Sequence, residues 1–349
     1  MSIEFNFFPK EYVYHNLILR YGQLNRIKIP KNLYSREIRR LLGNTHFDIF
    51  IDFGGYDSLI TLLFAFSEIN RKCMYLHNNM VGEYKLKYAN LSVTFDLYRY
   101  YNKLITVSKG SKKENSVNFK EYGMDLDDKL TYVNNTVDHE TVIKNSLSGR
   151  ASEINNIKYY FTRYTKNNFL IDIAGIVAPI ENNINFISIG RLSPEKDHKK
   201  LLTAFSRVSK YYKNVKLYIL GDGPLKDDLI NFSNDIGILD HVIFTGNLDN
   251  PHWLLNNCNC FVLSSNYEGQ GIVILEAMIL CKSVISTDIF GPRGILQGGY
   301  GKLVANNAEA LAEAMIEFIE EGMDNKPFDY FKYNKIAMNQ FYKEVCDEK

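Results

Sequence analysis

The amino-acid sequence predicts an α/β protein made of two parallel-sheet domains. Three observations predict it: the length, a regular alternation of two kinds of segment, and a break in that alternation midway. The chain has 349 residues, long for one core and comfortable for two. Short apolar runs read as strands and amphipathic stretches lie between them, the pattern of parallel strands joined by crossover helices. Segment 149–183 is rich in Asn and bounded by turn formers, so it reads as the join.

Before the join the strand-like runs are 47–53, 72–77, 103–108 and 129–134. After it they are 185–190, 215–220, 241–246, 258–265 and 282–287. Apolar residues spaced three and four apart mark helices at 198–213, 225–237 and 308–322. An aromatic-rich helix follows Pro327 at 328–345. Inside the join, YYFTRYTKNNFLIDI reads as a hairpin with KNN at its turn. The expected domains are 1–180 and 181–327, with 328–349 as a terminal helix.

Composition narrows the function classes. Hydrophobic residues make up 46% and charged residues 23%, an ordinary globular balance. Lys and Arg number 41 against 40 Asp and Glu, which argues against nucleic acid as the main partner. The five cysteines include no CxxC pair and read as small buried residues in a reducing compartment. MSIEFNFFPKEY has no basic segment leading into an apolar run, and no stretch approaches ~18 apolar residues. A cytoplasmic location is expected, with contact at the inner membrane face left open.

The second half carries the chemistry. NFISIGRLSPEKD places Arg191 and Lys196 just past a strand, before a helix starting near Asp197. In open α/β sheets ligands bind at that edge, and a guanidinium fork with a mobile ammonium suits a diphosphate. Solvated surface charge explains the same loop about equally well. VKLYILGDGPLKDDL is a strand, a tight turn and a helix. SSNYEGQGIVILEAM sets Glu268 and Glu276 eight residues apart, with Gly269, Gln270 and Gly271 between them. If Gly271 opens a helix, its free N–H groups face an anion, while the carboxylates accept bonds from vicinal hydroxyls.

In order and spacing, GRLSPEKD, LGDGP, SxxEGQGIVILEA and SVISTDIFGP resemble the donor-binding domain of retaining glycosyltransferase family 4, clearly over about residues 184–325. The resemblance implies a GT-B fold: two Rossmann-like domains facing a cleft, the final helix crossing back onto the first. It implies that Arg191 and Lys196 bind the donor diphosphate, that Glu268 contacts the donor sugar and that Glu276 contacts the ribose. Backbone amides at Gly269, Gln270 and Gly271 would hold sugar and phosphate. The sequence departs from the family at Cys281, where Gly is usual.

The first half matches more loosely. Gly54 and Gly55 follow a strand and allow close backbone approach. His77 lies just past the next strand, where a lone His is more often structural, but the resemblance puts a catalytic His beside the donor sugar. Lys109 is a further candidate for the phosphates. The segment from LHNNM to SKGSKKEN is similar to transferases of teichoic-acid and capsule assembly in Gram-positive bacteria. The family's opening strand and Gly-rich loop have no counterpart before residue 47, so the first domain is expected to be shortened.

The implied reaction moves a sugar from a nucleoside-diphosphate sugar, UDP by default, to a hydroxyl of a cell-surface glycan, teichoic acid or similar acceptor. The nucleotide sugar is a co-substrate, and no metal or other cofactor is required, because the protein supplies the cations. Two rivals stay open: a non-catalytic subunit that binds a partner transferase or glycan, and a nucleotide-sugar epimerase.

Overall fold

The computed structural model describes residues 31–43, 45–149, 151–154, 157–166, 169–179 and 182–346. Two compact units emerge. The first comprises described residues through Val107, Lys112–Val133 and those from Gln340 onward; the second comprises Ser108–Ser111 and Asn134–Asn339.

The first unit contains α1 (Lys31–Leu42), β1 (Ile49–Asp52), α2 (Ser58–Ala65), β2 (Arg71–Leu76), α3 (Met80–Leu86), α4 (Leu91–Leu97), β3 (Lys103–Thr106), most of α5 (Lys109–Glu121) and β4 (Leu130–Tyr132). Its four strands pair in parallel in chain order. Parallel strands need crossovers, and the helices supply them. Asp57 caps α2 by accepting from the amides of Leu59 and Ile60 at 2.8 and 3.1 Å. Leu62, Met74, Leu76, Phe95, Leu104 and Phe119 fill one core of this unit. The expected missing element lies mainly in residues 1–30, outside the described residues.

The second unit adds α6 (His139–Leu147) and an antiparallel sheet of β5 (Ala151–Ile154), β6 (Ile157–Lys166) and β7 (Phe169–Val177). The hairpin expected in the join is thus β6 with β7, and Asn167 and Asn168 of its turn lie outside the described residues. There follow β8 (Ile184–Ile189), α7 (His198–Tyr211), β9 (Val215–Leu220), α8 (Lys226–Asp235), β10 (Val242–Gly246), α9 (Pro251–Asn257), β11 (Cys260–Leu263), α10 (Ile272–Ile279), β12 (Ser283–Thr287), α11 (Phe290–Leu296), β13 (Lys302–Val304), α12 (Ala308–Glu321) and α13 (Tyr330–Phe341).

The main sheet of this unit runs β10-β9-β8-β11-β12-β13, all parallel. Its sixth strand, β13, is three half-exposed residues at an edge, too short and too mixed to register as an apolar run. The compact units also divide before residue 180: Asn134 onward belongs to the second. A turn of π-helix, Tyr342–Cys346, ends the described chain in the first unit. There Arg71 donates to the carbonyls of Val345 and Cys346 at 3.2 and 2.7 Å, and Thr131 Oγ1 to Glu344 at 2.8 Å. Among the described residues no helix is long and apolar enough to cross a membrane.

Candidate functional site

In the second unit the chain lays down β8, adds β9 and β10 on one side, then returns to build β11, β12 and β13 on the other. The strand order reverses between β8 and β11. A crevice opens at the carboxyl ends of strands where that happens. The loops leaving β8 and β11 carry Arg191, Lys196 and Glu268.

The β8 loop is fixed from two sides. A Cβ on Gly221 would lie 2.0 Å from the Gly190 carbonyl oxygen, and one on Gly223 would lie 2.4 Å from that of Leu192. Only glycine lets the GDG turn pass in backbone contact with the loop. Two hydrogen bonds secure the crossing, from Leu192 N to Asp222 O (3.0 Å) and from Leu225 N to Leu192 O (3.1 Å). On the other side the β11 loop is tied on: Asn266 N donates to Glu195 O and Ser264 Oγ to Lys196 O, both at 2.8 Å. Lys200 Nζ, from the first turn of α7, donates to Ser264 O at 2.9 Å and to Asn266 Oδ1 at 2.7 Å.

These ties bring Lys196 and Glu268 together as an ion pair, with side chains 22% and 16% exposed. Arg191 lies exposed in the same loop, and its guanidinium has no partner among the described residues. Gly271 sits at φ +84° as the N-cap of α10, as an opening glycine should. The amide groups of Gly269, Gln270 and Gly271 find no acceptor among the described residues. Unpaired amides at a helix start are the kind of group that can bind an anion, and the Lys196 ammonium lies against Glu268, the residue just before them. The start of α11 presses against it: a Cβ on Gly291 would lie 2.3 Å from the Glu268 carbonyl oxygen.

Gln270 contributes differently from its neighbours. Its buried side chain accepts from Asn135 N at 3.0 Å and donates to the Tyr333 hydroxyl at 2.6 Å, which anchors both ends of the amide group within the protein. Ser108 Oγ donates to Gly269 O at 2.8 Å, so Lys109, exposed at the start of α5, follows directly on a residue bonded to the amide cluster. Glu276 stands in the second turn of α10 and has no direct contact with Lys196 or Glu268; its Oε1 lies 3.4 Å from His252 Nε2. Behind the loop, burial first and the Lys196 charge second push His198 down to about 4, so this imidazole is neutral.

The candidates of the first unit are held by their own surroundings. Gly55, at φ +69°, passes the Tyr75 carbonyl so closely that a Cβ would lie 2.5 Å from its oxygen. Asp52 accepts from Gly55 N at 2.9 Å and from Thr61 Oγ1 at 2.8 Å, and burial raises its carboxyl above the ordinary value. Gly54 is beside this carboxylate. His77 Nε2 is 2.5 Å from the Phe53 carbonyl oxygen, and its ring packs edge-on against Phe53. A cavity of about 670 Å³ opens at the amino ends of β1–β3, the edge opposite to His77 and the glycines.

Residues 174–336 match the family described as glycosyl transferases group 1. An uncharacterized glycosyltransferase of Methanocaldococcus jannaschii is 30% identical over 306 residues, 83% of this chain and 67% of the relative. The chain belongs to the group 1 glycosyltransferases. A poly(ribitol-phosphate) alpha-N-acetylglucosaminyltransferase of Staphylococcus aureus is 30% identical over 134 residues, 38% of this chain and 27% of that protein. The chain therefore spans about two thirds of the first relative and about a quarter of the second. Among solved structures, the Anabaena protein HepE in complex with UDP superposes with a TM-score of 0.64 at 17% identity, over 89% of this chain and 82% of that one. The fold is GT-B, two Rossmann-like parallel-sheet units.

The family match of this glycosyltransferase takes in Arg191, Lys196, Glu268 and Glu276. Sequence reasoning missed Lys200 and His252. Lys200 is one lysine of an HKK run and carries no signal that sets it apart from surface charge. His252 follows Asn250-Pro251, a helix-start signal, and its nearness to Glu276 depends on the packing of two helices.

Proposed function

We propose that this glycosyltransferase transfers a sugar from a nucleoside-diphosphate sugar, UDP-sugar favoured, to a hydroxyl of a cell-surface glycan or polyol-phosphate acceptor with retention at the anomeric carbon. The observation that supports the reading is the β8/β11 switch, where the loop carrying Arg191 and Lys196 is paired through Lys196 to Glu268, next to three unpaired amides. Such a site stabilises the charge that develops on a departing nucleoside diphosphate. Each well-placed donor contributes roughly 3–4 kcal/mol in sites of this kind.

In this reading Arg191 and Lys196 hold the diphosphate, with Lys109 adding charge from the start of α5. Glu268 accepts bonds from the donor sugar once the phosphate draws Lys196 away. Glu276 accepts from the ribose hydroxyls. His77, at the carboxyl end of β2, attends the reacting sugar, with Nδ1 as the nitrogen left free by the contact to Phe53. The cations are the protein's own, and the reading assigns no step to a metal. UDP is favoured by the UDP bound to the Anabaena protein, and a polyol-phosphate acceptor by the name of the staphylococcal relative. Location at the inner membrane face fits such an acceptor.

The test is a thermal-shift screen with UDP-, GDP-, ADP- and CDP-sugars, followed by single-turnover assays with the best donor and NMR of the product anomer. A stabilising donor, consumed with retention, is the expected result. An inverted product would overturn the stereochemical assignment. Binding of a donor without transfer to any acceptor would favour the non-catalytic subunit.

A further inference from the structure

His252 is 9% exposed, yet neither ring nitrogen has a hydrogen-bond partner among the described residues. A buried polar atom without a partner costs about 1–3 kcal/mol, so such a group calls for an explanation. The ring has little freedom to escape. It sits on the first turn of α9, whose Trp253, Leu254 and Leu255 are buried in the core. Asn250 caps the helix from its side chain and also donates to Asn145 O at 2.8 Å. Lys282 Nζ donates to Asn256 O near the other end.

The polar group facing this anchored imidazole is Glu276, whose Oε1 is 3.4 Å from Nε2. The carboxylate is on α10, which begins at the amide cluster. The distance is longer than the roughly 3 Å of an ordinary N–H···O bond, so the two groups face each other without being bonded. With a proton on Nε2, the ring can close onto Oε1 and hold it, which keeps Oε2 for a ligand. The inference rests on the reading that Glu276 receives the ribose. We propose that His252 is a positioning residue that holds the Glu276 carboxylate for the vicinal hydroxyls of the donor's ribose.

The test compares ribose with deoxyribose. The full chain is titrated calorimetrically with UDP, GDP, ADP and CDP, and the tightest is carried forward with its 2′-deoxy counterpart. His252→Phe should weaken the nucleotide about tenfold and bring the ribose-to-deoxyribose affinity ratio close to one. Donor KM should rise with kcat within about threefold. His252→Gln, which presents an N–H where Nε2 stood, should keep most of the preference. If His252→Phe fails to fold, His252→Met is expected to give the same loss.

A ratio unchanged in His252→Phe or His252→Met but abolished in Glu276→Gln would overturn the proposal and leave the ribose reading intact. A ratio unchanged in Glu276→Gln as well would overturn both. No binding of any of the four nucleotides would likewise sink both.

Discussion

The two units use the carboxyl ends of their strands in opposite ways. In the first, the groups at that edge are spoken for: Asp52 is bonded to Gly55 and Thr61, and His77 reaches the Phe53 carbonyl. In the second, the loops are tied at their bases while Arg191 and three consecutive amides are left open. A folded chain seldom leaves donors unmatched without cause. Open donors held on a rigid base are what the proposed diphosphate site requires, and the first unit's edge has no equivalent among the groups described above. The same glycine chemistry serves both, letting backbone pass backbone at Gly55 in one unit and at Gly221 and Gly223 in the other.

The sharpest way to break this contrast is to remove the open cations. Arg191→Ala and Lys196→Ala should each lower kcat/KM by roughly 10²–10³-fold in a donor-turnover assay, with far-UV circular dichroism unchanged. Unchanged turnover would cancel the diphosphate role.

Acid should act on His198 and Asp52, one in each unit, in opposite directions. His198 has a folded value near 4 against 6.5 ordinarily, so above pH 6.5 both folded and unfolded states are neutral and nothing is lost. From 6.5 down to 4 the unfolded state takes up a proton that the folded state refuses, and the second unit loses up to about 3 kcal/mol. Asp52 has a raised value, so acidification through it relieves a buried charge and favours the fold of the first unit. Hydrogen exchange at pH 7 and pH 4.5 should show protection falling first around α7, and His198→Gln should flatten that loss.

Within the first unit, Gly55→Ala meets both a positive φ and the Tyr75 carbonyl, and should cost about 2 kcal/mol in urea unfolding. The smallest effect belongs to Cys281. It holds φ +53° at the end of α10, where Lys282 N donates to Ala277 O at 2.9 Å and Cys281 N to Met278 O at 3.1 Å. That is the Schellman arrangement, which favours glycine. Cys281→Gly should stabilise the chain by about 1 kcal/mol, read as a rise in Tm.

The same position shows what the sequence makes legible. Apolar runs and glycine turns located every strand of both parallel sheets except β13, because buried parallel strands are continuous in apolar residues. Arg191, Lys196, Glu268 and Gly271 stand out as candidates in the sequence because they sit at short offsets from strand ends. His252 and Lys200 do not, since their meaning comes from residues 24 and 66 positions away, Glu276 and Asn266. The place of β5–β7 in the second unit was hidden for a related reason: their segment is rich in turn and polar residues and reads as a linker, with no local pattern to say which core it joins.

In the proposed donor site, the pairing of Lys196 with Glu268 matches each charge with the other. A bare anion gains one side of that pair only by stranding the other, so inorganic phosphate is a poor guest. A molecule that offers negative oxygens to the ammonium and hydroxyl protons to the carboxylate satisfies both at once, so under the proposed function this pair would favour a sugar attached to phosphate.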